Sequence, residues 1–206
     1  MEIILIAVCY LIGSIPTAWI VVKLVTGRDI RTLGSGNVGV MNTALSVTRW
    51  AGLLVFVGEA AKGALAVFLA RRLGVSDIFL GLAVVAAVTG TRWSVWMGGA
   101  GGRGNTTGIA ALLLLAWQSV ALSLVVWISA RLLARSSFWA TRIWILSLPV
   151  TLFLVTGSWA FAGCGVALSL IYLSAHDTGT DDHTLIKDNW PNLWAFLSGP
   201  PRRTGP

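Results

Sequence analysis

The chain has 206 residues, of which 56% are hydrophobic and only 11% charged, with a net charge of +7 and a mean hydropathy of +0.80. A soluble domain carries about 25% charged residues, so the composition excludes an ordinary water-soluble globule. The basic excess does not point to nucleic acid: Lys and Arg lie between apolar runs, where anionic headgroups and the positive-inside rule place them.

Those apolar runs predict helices in chain order. About 20 residues at 1.5 Å each cross a hydrocarbon core of roughly 30 Å, and runs without polar alternation are not barrel strands. The first span is expected over about 3–22, closed by Lys23. It has no basic n-region and stays apolar past Gly13-Ser14-Ile15-Pro16, so it reads as a retained helix rather than a cleaved signal. A polar, glycine-bearing connector follows from Arg28 to Gly39. Further spans are expected over about 51–70, ending at Arg71-Arg72, and over 76–91. A second glycine-rich connector runs from Gly98 to Gly108. The stretch 107–130 is apolar but holds Gln118 and Ser119 at its middle, so it is either one span or two short ones joined by a tight reversal. Spans over about 143–157 and 159–173 complete the membrane part. From His176 the composition turns polar and charged, marking 176–206 as an extramembrane tail. Cys9 and Cys164 fall inside apolar runs and read as packing residues. Trp50, Trp93, Trp117, Trp127 and Trp139 fall near span ends, as interfacial indoles do.

Charge sets the expected orientation. Lys23, Arg28, Arg31 and Arg49 place the first connector in the cytoplasm, and Arg92 and Arg103 place the second there too. Arg131, Arg135 and Arg142 join them only if 107–130 crosses twice. Arg71-Arg72 then lies outside, against the rule. The expectation is an all-α, polytopic integral membrane protein of about seven transmembrane helices, N-terminus outside and C-terminus cytoplasmic. It divides into a transmembrane domain over 1–175 and a cytoplasmic tail over 176–206.

Glycine lets backbone N–H groups approach an anion, and a following helix N-terminus adds a positive dipole end. Arg103 with Gly104, Thr106 and Thr107 has that pattern, as do Ser35, Gly36 and Asn37. Tight interhelical turns are the alternative reading of both. Glu59 and Lys62 lie three apart inside a span, so they share a helix face and can pair, for function or for packing. No cluster of His, Cys, Asp or Glu has metal-ligand spacing.

Tyr10-Leu11-Ile12-Gly13-Ser14-Ile15-Pro16-Thr17, Asp29-Ile30-Arg31, Gly34-Ser35-Gly36-Asn37-Val38-Gly39 with Asn42, Glu59 with Lys62-Gly63-Ala64, Gly101-Gly102-Arg103-Gly104 with Thr107-Gly108, and Ile171-Tyr172 carry a resemblance over about 8–175. The chain resembles the acyl-phosphate:glycerol-3-phosphate acyltransferases, the PlsY family. The resemblance implies a seven-helix enzyme of a bacterial plasma membrane with its site facing the cytoplasm. It would move an acyl group from acyl phosphate to glycerol 3-phosphate and give lysophosphatidic acid. The implied partners are membrane lipids and the two substrates, with no cofactor, metal or nucleic acid. Ser35, Gly36, Asn37, Asn42, Lys62, Arg103, Gly104 and Thr107 are the expected substrate-binding residues. Ser35, His176 and Asp177 are the catalytic candidates, the proton acceptor being His176, Asp177 or a substrate phosphate. Leu45, Thr91, Ala100 and Ser174 stand where the family usually has Arg, His, Lys and His. These departures leave open a catalytically impaired member that serves as a structural subunit of a larger membrane complex.

The charge pattern predicts a cytoplasmic C-terminus. A phosphatase fused after Pro206 should be inactive and a fluorescent protein fused there should glow; the opposite pair of results would remove the seven-pass topology.

Overall fold

The computed structural model describes residues 1–175, whose regular structure is entirely helical: α1 (Glu2–Ser14), α2 (Thr17–Thr26), α3 (Val40–Ser46), α4 (Arg49–Arg72), α5 (Asp77–Arg92), α6 (Asn105–Ala134), α7 (Ser137–Thr156) and α8 (Trp159–Ala175). The expected tail over 176–206 lies outside the described residues. Two compact units are present, one of residues 1–16 and 57–175 and the other of residues 17–56.

The expected first span is interrupted inside its length. Pro16 has no N–H to donate and disfavours the helical conformation in the residue before it. Ile15 accordingly takes φ −54° and ψ 117°, and α1 ends at Ser14. The whole apolar stretch Glu2–Thr26 is still long enough for one pass.

In the larger unit α1 packs along α5. A Cβ on Gly13 would fall on the Ala87 carbonyl, and one on Gly90 would fall on that of Tyr10, so the two backbones touch. Leu5, Cys9, Ala66, Ala70, Ala83, Ala86 and Ala87 fill this contact. A second core gathers Val84, Val88, Leu112, Ile145, Leu148, Leu152, Leu168 and Tyr172 from α5 to α8. Both cysteines are buried and free, as packing residues would be.

The ambiguous 107–130 stretch becomes two helical segments meeting at Ala116, whose φ −156° and ψ 74° are not helical. Thr107 lies against Glu59 and Gly63, and Leu114 against Arg71, so residues 105–115 run in the same sense as α4. Ser119 and Ser123 bond Thr151, and Arg135-Ser136 lead directly into α7, so residues 117–134 run antiparallel to α7. Ser169 bonds Ile145, which makes α8 antiparallel to α7. Cys164 meets Gly81 and Tyr172 meets Val88 in one core, which makes α8 parallel to α5. The chain therefore turns back at Ala116. Residues 105–115 rise only about 16 Å, roughly half a hydrocarbon core. Arg71, which the expected orientation sets against the positive-inside rule, caps this half-length helix: its guanidinium donates to the carbonyls of Leu114 at 2.8 Å and Leu115 at 3.5 Å. Glu2–Thr26, α4, α5 and α7 are each long and apolar enough to cross a membrane and α8 is a shorter apolar helix; with the two parts of α6 counted separately, the apolar segments among the described residues number the expected seven.

Outward faces are apolar, as a lipid-facing surface requires: Leu24, Leu54, Phe68, Leu133, Leu154 and Leu170 are all exposed. Trp50, Trp117 and Trp139 stand exposed as well.

In the smaller unit a short 3-10 turn, Ile30–Thr32, links α2 to the glycine-bearing loop before α3.

Small-residue contact in a membrane depends on the missing Cβ. Gly63→Ala would drive a methyl into the Thr107 carbonyl, at a cost of about 1–3 kcal/mol. Gly163 has nothing within 4 Å of its absent Cβ. Thermal unfolding in detergent should therefore show a marked loss for Gly63→Ala and none for Gly163→Ala; equal behaviour of the two would remove the close α4–α6 contact.

Candidate functional site

The first candidate loop is organised by one carboxamide. Asn42 is fully buried. Its Nδ2 donates to the carbonyls of Leu33 and Asn37, each at 2.9 Å, while its Oδ1 accepts from the Ser35 N–H at 3.1 Å and the Ser46 hydroxyl at 2.9 Å. A carboxamide offers two donors and two acceptor lone pairs, so its capacity is spent on the loop. Asn42, expected among the substrate ligands, is thus the internal post around which Leu33–Asn37 is wound. Gly34 sits at φ 52° with Asn42 Oδ1 and Ser46 Oγ where a side chain would be. Ser35, Gly36 and Asn37 remain half-buried at the outer edge of this turn. The Ser35 hydroxyl accepts from the Asn37 N–H at 3.4 Å.

The same loop is tethered upstream by an ion pair. Asp29 caps the 3-10 turn by accepting from the Arg31 N–H, and its carboxylate pairs with the Arg31 guanidinium at 2.6 Å. These hydrogen bonds hold the Asp29 carboxyl well below the usual carboxylate range, and the carboxylate in turn raises the Arg31 guanidinium. A carboxyl held low contributes stability above its unfolded pKa and loses it as pH falls through the folded value. The cap therefore persists unchanged across neutral pH.

The second candidate loop belongs to the larger unit and rests on a buried polar ring. Glu59 and Lys62, three residues apart on α4, pair at 2.7 Å and are almost fully buried. Lys62 Nζ also donates to the carbonyls of Gly13 at 3.1 Å and Ile15 at 3.0 Å. These are carbonyls left unpaired where Pro16 ends α1. An ammonium has three donors, so Lys62 is committed internally, although the sequence suggested a substrate ligand. Thr107, also expected to touch substrate, is fully buried; its hydroxyl donates to Glu59 Oε2 at 2.9 Å. Thr91 stands 3.2 Å from Thr107 and 3.2 Å from the Gly13 carbonyl, which closes the ring. Ser94 takes the remaining carbonyl of the α1 end, that of Ser14, at 2.6 Å.

The Arg103 turn is mounted on this ring. Gly102 N–H donates to the Thr91 carbonyl at 2.9 Å, and Thr107 follows Arg103 by one helical turn. Gly104 occupies φ 77° as the residue before α6, with Val88 Cγ1 2.9 Å from where a Cβ would lie. Arg103 itself is half-buried at the positive end of α6. His176 and Asp177 lie outside the described residues. Ser94 carries no signal of its own in the sequence, and Thr91 stands out there only as a departure from the family pattern, not as a member of this ring. Their signal was Pro16, which announces carbonyls in need of donors, but the donors' identity depends on which helix packs there.

Similarity to known proteins agrees with this geometry. A family model described as glycerol-3-phosphate acyltransferase matches residues 3–181. A glycerol-3-phosphate acyltransferase of Synechococcus sp. (strain CC9902) is 34% identical over 175 residues, covering 85% of this chain and 88% of the relative. One from Desulforudis audaxviator (strain MP104C) is 35% identical over 179 residues, covering 87% and 90%. Among solved structures, the glycerol 3-phosphate form of PlsY, an integral membrane glycerol 3-phosphate acyltransferase, superposes with a TM-score of 0.74 at 25% identity, covering 99% of this chain and 96% of that one. The helical membrane architecture, the half-buried arginine on its glycine turn and these matches agree: the chain belongs to the glycerol-3-phosphate acyltransferase family.

Proposed function

We propose that the chain transfers an acyl group from acyl phosphate to the 1-hydroxyl of glycerol 3-phosphate, giving lysophosphatidic acid and inorganic phosphate at a bacterial plasma membrane. The observation that carries the reading is Arg103, half-buried between Gly102 and Gly104 at the start of a helix that begins beside a buried ion pair. Related proteins of this family come from bacteria, and the PlsY structure with glycerol 3-phosphate supports that acceptor.

Acyl phosphate is an activated mixed anhydride, so the chemistry asks for little beyond positioning and charge. The hydroxyl oxygen attacks the acyl carbon, the bond from that carbon to the phosphate oxygen breaks with its electron pair, and the hydroxyl proton ends on phosphate. Both reactants are anions, and a cation must offset their repulsion. Arg103 supplies that charge, Gly104 the close backbone approach, and Ser35, Gly36 and Asn37 a second set of anion ligands on their own loop. Asn42, Lys62 and Thr107 shape these turns from beneath. His176 or Asp177 relays the proton, or phosphate takes it directly.

Detergent-purified protein given glycerol 3-phosphate and palmitoyl phosphate should form lysophosphatidic acid, and palmitoyl-CoA should not replace the phosphate. Turnover with the CoA ester alone would overturn the donor; no turnover with either, in folded protein supplied with native lipid, would favour the structural-subunit reading.

A charge-assisted bond from Arg103 to phosphate contributes roughly 1.5–3 kcal/mol. Arg103→Ala should therefore lower kcat/KM by about ten- to 150-fold with thermal stability near wild type. An arginine that only anchors to lipid headgroups would leave turnover within a factor of about two.

A further inference from the structure

The buried ring is built on one ion pair and two threonine hydroxyls. It joins Gly13 of α1, Glu59 and Lys62 of α4, Thr91 of α5 and Thr107 of α6 in one closed circuit of hydrogen bonds. Its proton order is directional. Thr107 spends its one proton on Glu59 at 2.9 Å, so between the two threonines the donor is Thr91. Thr91 also faces the carbonyls of Gly13 and Ala87, each at 3.2 Å, with only one proton for three acceptors. The firm links are therefore the 2.7 Å ion pair and the 2.9 Å bond from Thr107, and the loose one is Thr91.

Arg103 lies between two attachments to this circuit. The residue before it, Gly102, is held by the Thr91 carbonyl, and the helix after it is held through the Thr107 hydroxyl. Gly63, next to Lys62, lets the Thr107 backbone come against α4, so the Glu59 carboxylate reaches the first turn of α6. Residues 105–115 form a half-length helix that ends at Ala116. Such a segment has less packed length than a full span to set its axial position, and the Glu59–Thr107 bond is its fixed point near the N-terminal end. Arg71 holds the other end.

We infer that Glu59 and Lys62 are positioning residues for substrate binding: through Thr107 the buried pair sets the place of the Arg103 turn, and so the affinity for the anionic acceptor. The inference rests on the reading of Arg103 as a phosphate ligand. An ion pair that served packing alone would change folding yield and leave substrate affinity where it was. A positioning pair changes affinity in protein that is still folded, because a charge-assisted hydrogen bond to a bound anion depends on the placement of its donor.

The test measures KM for glycerol 3-phosphate, kcat and thermal unfolding in Lys62→Met, Thr107→Val and Thr107→Ser. Thr107→Val keeps the shape and removes only the hydroxyl that reaches Glu59; Thr107→Ser returns it. Thr107→Val should raise KM by about tenfold with kcat within about threefold of wild type, a loss of ground-state binding, and Thr107→Ser should restore KM. Lys62→Met should shift KM in the same direction in whatever fraction folds. KM within twofold of wild type in folded Thr107→Val, or a raised KM that Thr107→Ser fails to restore, would overturn the positioning role. Wild-type protein with no turnover would overturn the underlying reading instead, so the two failures are distinguishable.

Discussion

A carbonyl without a donor is costly in water-free surroundings, and this chain has helix interruptions that create such carbonyls. The interruption at Pro16 is the one on which the larger unit depends. It ends α1 inside the first apolar stretch and leaves the oxygens of Gly13, Ser14 and Ile15 to be satisfied by other helices. Lys62 takes two of them and Ser94 the third. Lys62 can be buried there only with a counter-charge, which Glu59 supplies one helical turn away. Removing one partner of such a pair costs about 3–5 kcal/mol, whereas the intact pair contributes little net stability. What the pair confers is specificity of arrangement: α1, α4, α5 and the start of α6 fit together in the register that closes the ring.

The same rule governs the other breaks. Pro149 within α7 cannot donate to Ile145, and the Ser169 hydroxyl from α8 donates to that carbonyl at 2.7 Å. The break at Ala116 exposes the carbonyls of Leu114 and Leu115, and Arg71 takes both. Each interruption is matched by a polar side chain on a neighbouring helix. Hydrogen bonds between membrane helices average well under 1 kcal/mol, so their value lies less in stability than in selecting which faces meet. Glycines at the same contacts allow short side chains to reach, as at Gly13 and Gly63.

The two candidate loops sit on this scaffold as polar, glycine-bearing turns. The two glycine-bearing turns are built by different means. One is wound around the Asn42 carboxamide and tethered by the Asp29–Arg31 pair. The other hangs from a buried ring whose charges lie in the helices rather than in the turn. Asn42 under the first turn and Glu59, Lys62 and Thr107 under the second are buried, while Ser35, Asn37 and Arg103 stay half-buried. Rigid support beneath a partly open turn is what anion binding by preorganised donors asks for.

By itself the sequence determined the membrane class, the helical content, the spans and the i, i+3 pairing of Glu59 with Lys62. These follow from local quantities: hydropathy summed over about 20 residues and the pitch of a helix. The glycine turns were legible for the same reason, since their residue types are punctuation read without knowing any neighbour. The charge pattern asks for two crossings within 107–130, but only the tertiary structure decided that the reversal falls at Ala116, a residue no turn rule marks, because the partner of its freed carbonyls is Arg71, more than 40 positions earlier. It also decided that Asn42, Lys62 and Thr107 look inward. A polar side chain beside a glycine turn reads the same from sequence whether it faces ligand or core. Which way it faces depends on the distant backbone that needs its hydrogen bonds, here the carbonyls of Gly13 and Ile15 for Lys62 and the Glu59 carboxylate for Thr107.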